Sequence, residues 1–329
     1  MGKCQTPSAL IHLKADIIGQ ENNHFRDDHA TRRASTVQIL INHGADVAAL
    51  DMNQQTPLHI ASSSGAVKIA RLLIKHGADL DAQNEIHSTP LHLASSMERA
   101  DIVQLLIEHG ADVTAQDWSH KTPLHLVSFW VSAKPASFLF RWAHVSEQDH
   151  GSNSSALQFI SQKKKAKIVR LLIKHGADVT AQDNTHSTPL HMASFRVNPE
   201  IVQLLIECGA DVTVKNETHS TPLHLASSCA RTAPRLTCYR NNMNGQDNSD
   251  THPLKVETLR LLIKHGADVT ARDEAQSTPL HLASACVSIE TVHLLIEHGA
   301  NVSARDGSHR TPLHLASSCV SKTHTSPLI

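Results

Sequence analysis

The sequence predicts an all-α solenoid of stacked helix-turn-helix units, each ending in a projecting hairpin or turn tip. Three observations carry this. The tetrapeptide Thr-Pro-Leu-His begins at Thr56, Thr89, Thr122, Thr188, Thr221, Thr278 and Thr311, at intervals of 33, 33, 66, 33, 57 and 33. A Gly-Ala-Asp/Asn triplet keeps the same intervals from Gly44 through Gly77, Gly110, Gly176, Gly209 and Gly266 to Gly299. Between these marks, apolar residues recur at i, i+3 and i+4, as Ile102, Leu105 and Leu106 do, which places them on one helical face. Two independent marks in one register identify a 33-residue unit.

Each unit reads from its first helix onward. Thr89 is a natural N-cap and Pro90 suits the first helical position. Leu91 and Leu93 begin a short apolar helix ending near Ser96. A second helix runs from about Asp101 to His109, and Gly110 follows as its left-handed cap. Asp112 to Lys121 then projects as the tip. Neither helix is long enough to be stable alone, so the leucines are expected to be buried between neighbouring units.

The organisation predicted is an irregular N-terminal cap over 1–35 and a repeat array over 36–329. Units start at 56, 89, 122, 155, 188, 221, 278 and 311. The copy at 122 is read as worn, keeping its length while losing its letters, with Ser155-Ala156-Leu157-Gln158 as the degenerate start of the next. The polar, turn-rich stretch 230–253 reads as a loop inserted between the two helices of the unit at 221. The last copy is truncated and is expected to fray or to belong to something longer.

The pattern Thr-Pro-Leu-His-Leu-Ala followed by Ile-Val-x-Leu-Leu-Ile-x-x-Gly-Ala-Asp-Val resembles the ankyrin repeat over roughly residues 36–316. The resemblance implies antiparallel helix pairs with outward tips, and partners bound on the concave side of tips and first helices. It also implies that the histidines of the tetrapeptide bond locally to the capping threonine and nearby backbone. Two departures stand out. Where the family commonly has glycine two residues before Thr-Pro, this chain has Gln54, His87, His120, His186, His219, Gln276 and His309. Histidine tolerates positive φ better than most side chains. Between the helices, only Gly65 fills the family's glycine slot.

Composition bounds the function. Net charge is −1 and pI about 7.1, which favours neither a nucleic-acid nor a membrane partner. No apolar run reaches spanning length. Six cysteines, three of them in one repeat slot, read as reduced thiols in a cytoplasmic protein, with the nucleus as an alternative. Neither a phosphate-binding glycine loop, a Gly-x-Ser-x-Gly elbow nor a Cys-x-x-Cys pair is present, so no enzyme, cofactor or small-molecule substrate is predicted. Histidines number 26, but equivalent ones stand about one helix spacing apart, too far to share a zinc ion. Six of them precede the capping glycine, where a cation suits the helix dipole.

The expected function is a monomeric, non-catalytic scaffold for another protein or a peptide. Trp118 on a tip, with Phe129 and Trp130 at the end of a first helix, are the candidate contacts, and Phe195 and Arg196 share the latter two slots in another copy. Phe129 takes a slot held elsewhere by Ser63, Ser96 and Ser228, which suggests partial exposure. The tip histidines His87, His120, His186 and His219 complete the set. Phe138, Phe140 and Phe159 read instead as core of the worn copy. Lys163-Lys164-Lys165-Ala166-Lys167 faintly resembles an import signal but fits a solvated helix face better. Gly2 and Cys4 match a loose acylation pattern, and a membrane is expected as partner only if they are modified. The alternatives are a targeting fragment of a longer enzyme or ubiquitin-ligase adaptor, and an acyl-anchored scaffold.

Overall fold

The computed structural model describes residues 26–129, 154–228 and 252–318, with the side chains of 26–30, 154–160 and 252 excepted. Trp130, Gly2, Cys4 and the segment 230–251 lie outside the described residues, as do the side chains of Phe138, Phe140 and Phe159. Every regular element among the described residues is helical. The helices are α1 (Arg26–Asn42), α2 (Pro57–Ser64), α3 (Val67–Lys75), α4 (Pro90–Ser96), α5 (Ala100–Glu108), α6 (Pro123–Phe129), α7 (Ser154–Lys174), α8 (Pro189–Phe195), α9 (Pro199–Glu207), α10 (Pro222–Ser227), α11 (His252–Lys264), α12 (Pro279–Ala285), α13 (Ile289–Glu297) and α14 (Pro312–Ser318). Helix α1 begins inside the segment read as an irregular cap.

The chain forms two compact units, one built on α1–α7 and the other on α8–α14. In the first, α2 packs on α3 and α4, α4 on α5 and α6, and the second helices α1, α3, α5 and α7 follow one another. In the second, α8 packs on α9 and α10, α10 on α11 and α12, and α12 on α13 and α14. Leu58, Leu91, Leu124, Ile168 and Leu172 in the first unit, and Leu190, Ile201, Leu205, Leu223 and Leu259 in the second, are fully buried. These short helices are thus held by stacking rather than by their own propensity.

One interval departs from the sequence reading. Helix α7 packs on both α6 and α5, which makes it the second helix of the repeat that α6 opens. The tip that follows it stacks directly on the tip before α6, with Asn184 N–H donating to Ser119 O at 3.0 Å. Among the described residues, the 66-residue interval therefore holds one helix pair, not the expected worn copy plus a second. Residues 130–153 separate its two helices in sequence, as 228–251 separate α10 from α11. Lys165 is the second correction here. It is buried, not solvated, and sits 3.4 Å from the Glu98 carboxylate, which also accepts a hydrogen bond of 2.7 Å from the Ser161 hydroxyl.

Candidate protein-binding surface

The frame for the surface is a histidine relay. Thr89 N–H donates to His92 Nδ1 at 3.2 Å, with the Thr89 hydroxyl 2.8 Å from the same nitrogen. Because Nδ1 accepts that backbone hydrogen, the ring proton lies on Nε2 and is donated to Lys121 O in the next tip, at 2.9 Å. The same bridge runs from His59 to Ser88 O, His191 to Ser220 O, His224 to Ser277 O and His281 to Arg310 O. Each ring caps its own helix and fixes the tip of the following repeat, a reach of about one repeat that local spacing does not reveal. Burial lowers the basicity of His59, His92 and His224, and outweighs the neighbouring carbonyls and carboxylates that oppose it. The second histidine set closes helix ends, with Nδ1 of His109, His175 and His298 2.8–2.9 Å from the carbonyl four residues back.

The tips themselves are asparagine or aspartate turns. Asp117 Oδ1 accepts Ser119 N–H at 2.8 Å and Lys121 N–H at 3.0 Å, while His120 N–H bonds to Asp117 O. This closure puts His120 at φ 58°, and His87, His186 and His219 at 55°. Histidine is among the side chains that enter this region most readily, so the tip turn forms without the family's glycine. Successive tips are then laced by backbone bonds: Glu85 to Asn53 O and Trp118 to Ile86 O in the first unit, Glu217 to Thr185 O and Glu274 to Thr218 O in the second.

On this frame Trp118 projects with 66% of its surface exposed. His87, His120, His186 and His219 are exposed beside the tip turns. Phe195 and Arg196 are each half-buried, and the Arg196 guanidinium lies over the Phe195 ring, 5.6 Å from its centroid. Phe129 is a correction: it is 6% exposed and belongs to the core, so the serines of its slot were a poor guide to a residue of its size. The sequence reading missed Met52, which is 80% exposed and occupies the tip slot of Glu85 and Trp118 one and two repeats earlier. Aligning the tips slot by slot would have paired it with Trp118.

No group of three or more His, Cys, Asp or Glu among the described residues is arranged to hold a metal ion. Cys208 is an exposed free thiol. No described helix is long and apolar enough to cross a membrane.

A family model of three-copy ankyrin repeats matches residues 29–117, 82–149, 131–216 and 252–325, and a single-repeat model matches 218–274. No curated protein matches the chain. Among solved structures, the ankyrin repeat domain of human ASB11 is similar, at 22% identity and a TM-score of 0.58, over 80% of this chain and 93% of that one. That likeness carries the fold alone. The family matches span well over half of the sequence and fall on the stacked helix pairs, capping boxes and laced tips described above, so the chain belongs to the ankyrin repeat family.

Proposed function

We propose that the protein is a non-catalytic scaffold that binds a partner protein or peptide through its tips and first helices, in the cytoplasm. Ankyrin repeats are in general protein-interaction modules, and the observation that carries the reading for this chain is Trp118. A tryptophan two-thirds exposed on a rigid, backbone-laced tip is the residue type that dominates binding energy at interfaces. The polar residues of the fold recur from repeat to repeat as capping and bridging groups, which accounts for them without catalysis. Beyond Trp118, the contact set comprises the exposed histidines His87, His120, His186 and His219, the stacked Phe195–Arg196 pair and Trp130.

The test is affinity capture with the full chain, partners being identified by mass spectrometry, repeated with Trp118→Ala. A specifically retained protein whose recovery falls at least tenfold in the variant supports the reading, tenfold being about 1.4 kcal/mol. Recovery of no specific partner by the wild-type chain would remove it.

A further inference from the structure

The near-zero net charge of the chain conceals an uneven distribution. The four tips of the first unit, at 44–56, 77–89, 110–122 and 176–184, carry nine Asp or Glu residues and one lysine. That lysine, Lys121, is ion-paired with Asp183 at 3.5 Å. The three tips of the second unit, at 209–221, 266–278 and 299–311, carry six carboxylates against four Lys or Arg residues. The same tip slot differs in kind as well. In the first unit it presents Met52, Glu85, Trp118 and Asn184, with Leu50 59% exposed beside Met52. In the second unit it presents Glu217, Glu274 and Gly307. The first three tips of that unit therefore present a row of apolar, acidic, apolar side chains set in an acidic field, followed by the polar Asn184.

We propose that the tip edge of the first unit binds an extended peptide segment carrying a lysine or arginine between two large apolar side chains about six residues apart. This rests on the protein-binding reading and names the chemistry of the partner. The spacing follows from the stack. Neighbouring repeats lie about 8–10 Å apart, so Met52 and Trp118, two repeats apart, are separated by roughly 20 Å. A segment extended as polyproline II advances about 3.1 Å per residue with three residues per turn, so residues i, i+3 and i+6 share one face and the middle one lies opposite Glu85. The cation meets the exposed Glu85 carboxylate within an edge where acidic residues outnumber basic ones, so its approach is accelerated and like-charged partners are repelled. Trp118 offers an apolar face to the flanking side chain and its quadrupole to a neighbouring arginine. Nucleic acid is disfavoured on the same electrostatic ground.

The experiment is selection of a random 12-residue peptide display library on the full chain. Affinities of the enriched peptides are then measured by fluorescence polarisation for wild type, Trp118→Ala, Glu85→Lys and, as a control in the second unit, Glu274→Lys. All three positions are exposed, and circular dichroism melting verifies that each variant is folded. Expected are enriched peptides with Lys or Arg between apolar residues and a Kd that rises with salt. Trp118→Ala and Glu85→Lys should each weaken binding at least tenfold and Glu274→Lys less than twofold. Neutral or acidic enriched peptides, no enrichment, or affinities unmoved by Trp118→Ala and Glu85→Lys would overturn the proposal. Those results leave the general binding reading standing, because that reading falls only with the capture experiment above.

Discussion

A valine held in the left-handed region is strained, because its branched Cβ meets the backbone there. Val287 sits at φ 54° in the slot that Gly65 fills at φ 80°, and it is 62% exposed, so it gains little packing in return. Val287→Gly is expected to stabilise the protein by about 0.5–1 kcal/mol, the relief of strain exceeding the added freedom of the unfolded chain. A urea midpoint that stays or falls would refute the assignment of strain. A second residue effect repeats through the stack. The hydroxyls of Ser62, Ser95, Ser128, Ser194 and Ser227 are buried with no hydrogen-bond partner. Ser95→Ala removes an unsatisfied group and improves helix propensity, so stability should rise by about 1 kcal/mol. A loss on urea denaturation would mean that the hydroxyl is satisfied in solution. At this scale the sequence was partly legible. The positive φ of the tip histidines followed from their slot. The reach of each tetrapeptide histidine to the next tip did not, since a bond between residues 29 apart has no local signature.

Among elements, the pairing of α6 with α7 is the feature that spacing concealed. The interval from Thr122 to Thr188 is twice the unit length, which suggests a hidden copy, whereas among the described residues the packing shows one pair. Length alone cannot distinguish a repeat from an insertion of equal size. Besides the buried Ile168 and Leu172, the Lys165–Glu98 ion pair helps to seat α7, with both side chains largely buried. Breaking such a pair strands a charge, whereas replacing both partners by groups that need no counter-ion is often neutral. Lys165→Ala should therefore cost about 3–5 kcal/mol. The double variant Glu98→Gly/Lys165→Met should recover most of this, since glycine also suits the φ of 56° at position 98. A double variant as unstable as the single would show that the pair does not seat α7. The leucine faces and caps, by contrast, were legible because each is set by residues within one helical turn.

Across the whole molecule, buried neutral histidines make stability depend on pH. Burial holds His59 and His92 in the first unit and His224 in the second below their ordinary value of 6.5. The neutral form is also the one that the geometry needs, because protonated Nδ1 would face the Thr N–H that it accepts from. The sign follows by linkage. Above 6.5 these rings are neutral in both folded and unfolded chains, and the stability they permit is fully present. As pH falls below 6.5 the unfolded chain takes up protons that the folded chain refuses, and stability is lost until the folded values are passed. Each such histidine can contribute at most about 1.4 kcal/mol per pH unit. Ordinary carboxylates stay ionised above pH 5, so the window from 7.5 to 5 excludes their titration, and a histidine variant assigns the effect. Urea midpoints should be flat from pH 7.5 to 7 and fall steadily below 6.5. His92→Gln should be less stable at pH 7.5 yet show a shallower acid limb, because one refused proton has been removed. A midpoint independent of pH down to 5, or a His92→Gln limb as steep as wild type, would show that the relay tolerates the charged ring.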